Sequence, residues 1–495
     1  MLTILLITVP LALGLGSFLI RDDFIRRGLI IICSGYHLAL TCLAWIKGPD
    51  AVLNGWFALD NTGIVFLTIT SVLFFGSSLY GIQYLSGENH HAGNEDEKRR
   101  FFSHEAVFSG CFLLFLSTMT FVVASQHLAV LWVGIEATTL ASAPLIYFHR
   151  TKRSLEATWK YLLICSVGIA VALLGVFFLA VADNHHEEML LMNMIGNARN
   201  INIPWLKAAF LLLFVGYGTK MGLAPFHTWL PDAHSEAPSV VSALLSGALL
   251  NCAFLGILRG YQICIAAGLQ AYCQEIFIVF GLVSIVFAAV FILGQTDYKR
   301  MLAYSSVEHM GMITLGIGLG QSAVFGALVN MLGHSLTKAG LFFIAGNILS
   351  YFGTKKISDI QGLLSGTTRW SGVLWMAGFL LITGTPPSGI FLGKFIILTE
   401  ALFQARYGVA VIFLVSLAII FIGMARIFIS MTSGIPTKKG SQNDLRHINI
   451  FWRLCVPAIF FVFVIGLGAY FPSWLMKALA GAAQELGGLS CPVLF

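Results

Sequence analysis

The sequence predicts an all-α polytopic membrane protein with about 14 transmembrane helices. Three observations predict it. Of 495 residues, 57% are hydrophobic and 11% are charged, against about 25% charged in soluble domains. The apolar residues gather into long runs that do not alternate, which argues for helices and against a membrane barrel. The Lys and Arg residues fall mostly on one side of those runs. A soluble enzyme is excluded, because charged side chains are what a soluble surface is made of. Intrinsic disorder is excluded by the same hydrophobicity.

Runs near the ~20 residues that cross a bilayer lie at 2–20, 28–47, 64–84, 105–124, 126–148, 157–182, 206–230, 239–266, 274–295, 301–320, 322–351, 371–403, 407–431 and 449–471. The first has no basic flank and no small-residue cleavage site, so it reads as a retained span and not a signal peptide. The longest polar stretches, Gly87–His104, His185–Pro204 and Pro436–His447, are too short for a soluble domain. Run 7 carries Gly216, Gly218, Gly222 and Pro225, and run 12 carries Gly384, Pro386, Pro387 and Gly389. Proline removes a backbone donor and clashes with the preceding turn, so both helices must break. Two interrupted spans, five apart and each with a lysine, predict two inverted five-helix repeats with broken helices 7 and 12. The expected division is helices 1–3 in residues 1–104, helices 4–8 in 105–268, helices 9–13 in 269–432, and helix 14 with a tail in 433–495.

With the N-terminus outside, twenty of the 29 Lys and Arg fall in inner loops and six in outer ones. This positive-inside bias predicts that both termini face outside, in the cytoplasmic membrane of a bacterium or archaeon. The +6 net charge is therefore a topology signal, and no nucleic-acid partner is expected. The nine Cys show no CxxC spacing and read as small core residues. His90–His91 and His185–His186 read as polar loop residues, since no third metal ligand stands at a suitable spacing. There is no P-loop, Rossmann glycine pattern, HExxH or nucleophile signature. The sequence offers no cofactor, no metal site and no catalytic residue of its own.

The three remaining cations, Lys220, Lys338 and Lys394, lie inside spans. A charge at mid-bilayer costs roughly 2.5–3.5 kcal/mol on the insertion scale, so each must pair, reach water or work. Glu136 lies mid-span, and its partner must come from another helix. Lys220 and Lys394 sit beside the two breaks, where freed carbonyls demand a polar cavity. A buried lysine shifts its proton affinity readily, which suits it to storing and releasing a proton. His334 and Lys338, at i and i+4, share a helix face, and histidine relays protons near neutral pH. Glu308 and His309 lie early in the tenth run, which corresponds to the run holding Glu136 if the repeats are real. His227, His234 and Glu236 follow the first break and read as a route for proton uptake from the inner side. The alternatives are structural: lysines snorkelling to the surface, a satisfied core histidine, an interfacial Glu–His pair, and loop or capping contacts.

Three stretches carry a family resemblance. Gly218–Thr219–Lys220 through Pro225–Phe226–His227–Thr228–Trp229–Leu230–Pro231–Asp232–Ala233–His234 is the first, Asp297–Tyr298–Lys299–Arg300–Met301–Leu302–Ala303–Tyr304–Ser305–Ser306 the second, and Pro386–Pro387–Ser388–Gly389 to Lys394 the third. Together they resemble the antiporter-like, proton-translocating membrane subunits of respiratory complex I, Mrp-type antiporters, formate-hydrogenlyase-type nickel–iron hydrogenases and inorganic-carbon uptake complexes. The DAHSEAPS stretch is most similar to the hydrogenase branch.

The resemblance implies 14 helices, inverted five-helix repeats and broken seventh and twelfth helices. It also implies roles: Glu136 and Lys220 as the paired acid and base of helices 5 and 7, Lys338 as the lysine of helix 11, and Lys394 as the terminal proton site of helix 12. Many relatives carry a lysine in helix 8 where this chain has Asn251, which cannot hold a proton charge. Some relatives continue into a long lateral helix, which is not expected here. The implied function is proton translocation within a redox-driven complex, with other membrane subunits and a peripheral redox module as partners. A gradient-driven cation/proton antiporter, coupled to protons or Na+, and an ion-coupled inorganic-carbon uptake subunit are the alternatives. A non-conducting assembly scaffold is a third reading, and the cost of buried lysines argues against it.

Overall fold

The computed structural model describes the backbone of residues 1–48, 50–91, 95–183, 188–435 and 450–489; the side chains of residues 84–104 and 450–452 are left undescribed. The His90–His91 and His185–His186 side chains therefore lie outside the described residues, as do Cys491 and the basic residues of 436–449.

The helices are α1 Leu2–Ser17, α2 Asp23–Lys47, α3 Asn61–His91, α4 Glu95–Ala124, α5 Leu128–Ile146, α6 Lys152–Ala182, α7 Leu191–Gly196, α8 Ile203–Met221, α9 Trp229–Glu236, α10 Ser239–Leu244, α11 Leu250–Ala266, α12 Gln270–Leu293, α13 Tyr298–Leu319, α14 Gln321–Phe352, α15 Arg369–Thr383, α16 Gly389–Phe403, α17 Tyr407–Thr432, α18 Ile450–Ala469 and α19 Ser473–Glu485. No strand forms among the described residues; only isolated bridges occur. Ten helical segments are long and apolar enough to cross a membrane, or eleven with the α18–α19 pair, which bends by 80°. Three expected runs fall outside that count for physical reasons. Helix α1 has 16 residues. Helix α13 carries Lys299, Arg300 and Glu308. The run at 371–403 divides into α15 and α16, with 15 residues each.

Both expected breaks are present, and they are built alike. Helix α8 ends at Gly222 and α15 at Gly384, each in the left-handed conformation at φ +82°. Leu223 N–H donates to Gly218 O and Gly222 N–H to Thr219 O; Thr385 N–H donates to Leu380 O and Gly384 N–H to Leu381 O. This is the double-bonded helix stop that a left-handed glycine permits. In each case a cis proline, Pro225 or Pro387, stands three residues beyond the glycine. The stop leaves the last two carbonyls of each helix unbonded by backbone, as helix ends do.

Helices meet through small residues, since packing and hydrogen bonds, not hydrophobicity, join helices in lipid. A Cβ on Gly216 of α8 would lie 2.5 Å from Ala172 N and 2.6 Å from Gly168 O of α6. A Cβ on Gly393 of α16 would lie 2.7 Å from Gly326 O of α14. Helix α14 lies at the centre, with its apolar window wholly buried, whereas only 33% of the α17 window is buried. A central helix with no lipid-facing side is where ionisable residues are least costly to keep, and α14 holds His334 and Lys338.

Candidate functional site

Two charged clusters form, one beside each break. In the first, Lys220 lies in the last turn of α8 and is fully buried. Its Nζ donates to Thr139 Oγ1 of α5 at 2.8 Å and to Tyr161 OH of α6 at 2.5 Å. Its ammonium also lies 4.4 Å from the centroid of the Tyr161 ring, a cation–π distance. Thr139 Oγ1 donates to Glu136 Oε2 at 3.3 Å, and Ser166 Oγ donates to Glu136 Oε1 at 3.1 Å. The expected Glu136–Lys220 pair is thus linked through a hydroxyl and is not a direct ion pair. Thr139 stands one turn beyond Glu136 on α5, which places its hydroxyl between acid and amine.

In the second cluster the ion pair is direct. Lys394 Nζ of α16 lies 3.3 Å from Glu308 Oε1 of α13. It also donates to Thr383 O at 3.1 Å and to Ile382 O at 3.5 Å. These are the two carbonyls that the α15 stop leaves open. The helix C-terminus carries partial negative charge, so the ammonium meets both a carboxylate and the negative end of α15. His309 Nε2 donates to the same Ile382 O at 3.1 Å.

Between the clusters lie the remaining central residues. The His309 and His334 rings are 4.7 Å apart. One turn along α14, Lys338 Nζ donates to Leu302 O and Ser305 Oγ of α13. Lys338 and His234 flank one aromatic ring: the ammonium is 6.0 Å from the Phe342 centroid, and the His234 ring stacks on it at 5.1 Å. Both ring nitrogens of His234 and of His334 are buried without a hydrogen-bond partner among the described residues. The residues from His234 through Lys338, His334 and His309 to Lys394 and Glu308 form one continuous file.

Asn251 stands beside that file. Its Nδ2 donates to Gly247 O at 2.7 Å and to Ser335 Oγ at 2.9 Å, next to His334. It follows a π-helical turn, Leu245–Leu249, a distortion frequent at functional sites. Within that turn Ser246 Oγ meets Ser306 Oγ of α13 at 2.8 Å. His227 is apart from the file. Its ring sits among Phe287, Phe291 and Tyr304 at 5.9–6.2 Å.

On the face where α6, α9 and α13 meet their loops, charges close the end of α9. Asp232 accepts from Lys160 at 3.0 Å and pairs with Arg300. Glu236 pairs with Lys355 at 2.8 Å. A cavity of about 210 Å³ lies between them, lined by Arg153, Lys160, Asp232, Glu236 and Arg300. Asp232 and Glu236 share one face of α9, and His234 points the other way, into the core.

Several polar residues were missed in the sequence reading. Thr139, Tyr161 and Ser305 bond the lysines directly, and Asn330 is buried with both amide atoms unpartnered among the described residues. Only Asn330 had a signal: it stands four residues before His334, on the stripe that His334 and Lys338 continue. Arg259, counted with the outer loops, is buried in α11 and pairs with Asp60. Burial raises the proton affinity of the Asp60 carboxyl, but the Arg259 guanidinium outweighs it and holds that group below its ordinary value. Among the described residues no group of His, Cys, Asp and Glu could hold a metal ion.

This combination of a polytopic helical fold, paired breaks and a buried file of titratable side chains is that of an ion-translocating membrane subunit. The chain belongs to the NADH:quinone oxidoreductase/Mrp antiporter transmembrane family, whose sequence profile matches residues 125–423. It is 36% identical over 359 residues to the hydrogenase-4 component F homolog of Methylacidiphilum infernorum, covering 70% of this chain and 73% of that one. It is 28% identical over 410 residues to NADH-quinone oxidoreductase subunit N of Desulforudis audaxviator, covering 79% of each. Among solved structures, a chain of the archaeal membrane-bound sulfane sulfur reductase superposes with TM-score 0.83 at 20% identity over 99% of this chain and 98% of its own. A chain of respiratory complex I from Thermus thermophilus superposes with TM-score 0.75 at 24% identity over 99% and 100%.

Proposed function

We propose that the chain is a proton-translocating membrane subunit of a redox-driven complex of the hydrogenase or complex I type. Other membrane subunits and a peripheral redox module are its partners. One observation carries this reading: an unbroken file of buried titratable groups leads from His234 behind α9 to the Lys394–Glu308 pair. Keeping so many ionisable groups in an apolar bundle is costly unless they work.

In this reading fourteen spans cross the membrane, with α1, α13 and the α15–α16 pair completing the eleven. Residues 1–104 hold the first three spans, 105–268 and 269–432 the two inverted repeats, and 433–495 the last span. The matched breaks, a left-handed glycine at each helix stop and a proline three residues on, support the repeat. So does the placement of an acid two spans before each broken one: Glu136 before Lys220 and Glu308 before Lys394. The Lys/Arg-rich face is cytoplasmic and both termini face outside.

Protons enter past the Asp232–Arg300 and Glu236–Lys355 pairs to His234, with His227 at the side of that route. They pass by water to Lys338 and His334, where Asn251 and Ser335 hold the water and Asn251 itself carries no charge. They leave from Lys394. When the Thr139 link opens, Lys220 loses the nearby carboxylate that favours its charged form, and its proton passes by water toward Lys338 and on to Lys394. The gradient-driven antiporter reading has no observation in its favour over this one.

The test is His334→Ala and Lys338→Met in the assembled complex. Electron transfer should continue while pumped protons per electron fall by at least tenfold. Unchanged pumping in both variants contradicts the file.

A further inference from the structure

We propose that the crevice between α12 and α17 on the Lys/Arg-rich face binds the headgroup of an anionic phospholipid. A cavity of about 690 Å³ opens there, and its polar lining is Gln295, Thr296, Lys356, Ser358, Arg426 and Ser430. The two cations, Lys356 and Arg426, are exposed. Among the described residues no carboxylate lies within ion-pair distance of either and no hydrogen bond engages either side chain. Two acids flank the lining: Asp297, which accepts from Ser235 Oγ and from Lys299 N–H, each at 2.7 Å, and Asp359, which accepts from Ser358 Oγ at 3.0 Å and from Thr354 Oγ1 at 3.3 Å.

The crevice has the polarity gradient of a lipid. Ile422, Arg426 and Ser430 stand at i, i+4 and i+8, so one stripe of α17 runs from apolar to cationic to hydroxyl. On α12, Val286 and Val290 continue to Gly294 at the same spacing. Val290 and Ile422 are 63% and 64% exposed, which leaves apolar walls for acyl chains below the cations. Basic pockets between membrane helices on the cytoplasmic side suit anionic headgroups, with each nearby cation adding to the attraction. The Thr296 hydroxyl and the second amide N–H of Gln295 supply donors to phosphate oxygens, while Ser358 and Ser430 donate to Asp359 Oδ1 and Ile427 O, and Arg426 can engage a phosphate through two N–H groups.

The test uses the full chain in detergent, with binding read by native mass spectrometry. The probes are dioleoylphosphatidylglycerol, dioleoylphosphatidylcholine and inorganic phosphate. The wild type should prefer phosphatidylglycerol to phosphatidylcholine by roughly thirtyfold, from two cations at the surface, and should not retain phosphate alone. K356Q/R426Q should bring the preference below about threefold, with the unfolding midpoint in detergent alone unchanged, and K356R/R426K should keep it. If the double variant does not fold, the single variants decide, each losing roughly fivefold of the preference. Equal binding of the two lipids by the wild type, retention of inorganic phosphate alone, or an undiminished preference in the glutamine variants overturns the proposal.

Discussion

The two lysines beside the breaks meet their carboxylates in different ways. Lys220 precedes its break and reaches Glu136 through Thr139, and its acid is only half-buried. Lys394 follows its break, touches Glu308 directly, and takes up both carbonyls that the break leaves open. A hydroxyl link is undone by one side-chain rotation and costs about a hydrogen bond to a charged group, ~1.5–3 kcal/mol. Undoing the direct pair separates two buried charges, and removing one partner costs ~3–5 kcal/mol. The first cluster is therefore built to open and close, and the second to hold a charge until a larger change releases it.

Each prediction tests that difference. The largest effect is expected at Glu308. Glu308→Gln leaves Lys394 with carbonyls and no counter-charge, and should destabilise the protein by ~3–5 kcal/mol, read as a drop of several degrees in unfolding midpoint. Glu136→Gln should cost only ~1–2 kcal/mol while abolishing pumping. Equal stability losses would erase the contrast between the clusters. Thr139→Val should cost ~1–2 kcal/mol by leaving partners unsatisfied and should lower pumping; Thr139→Ser should restore pumping, a result no mere packing role would give. Asn251→Leu should cost ~1 kcal/mol and slow pumping without stopping it. The smallest effect on stability belongs to Asp232→Asn, ~0–1 kcal/mol for part-exposed pairs. Its readout is instead the rate of proton uptake from the Lys/Arg-rich side.

Much of this was legible in the sequence because the bilayer makes charge conspicuous. Glu136, Lys220, Glu308, Lys338 and Lys394 stand out against apolar runs, and glycine with proline announced both breaks. The hydrogen-bond partners were not legible. Thr139 and Tyr161 belong to helices 81 and 59 residues from Lys220, and periodicity within a helix says nothing of what faces it. The span count also outran the helices, for a reason visible in particular elements. Helix α13 pays in hydropathy for Lys299, Arg300 and Glu308, and the twelfth run is halved by its own break into two 15-residue helices. Arg259 was legible only as a cation near the end of a span; its burial and its pairing with Asp60 were not.

The most direct test of the central claim is the proton-to-electron ratio of the assembled complex in sealed vesicles, with Lys220→Ala or Lys394→Ala in this chain. The account predicts that the complex still assembles and transfers electrons, while the ratio falls in both variants. A ratio equal to the wild type in either variant would contradict it.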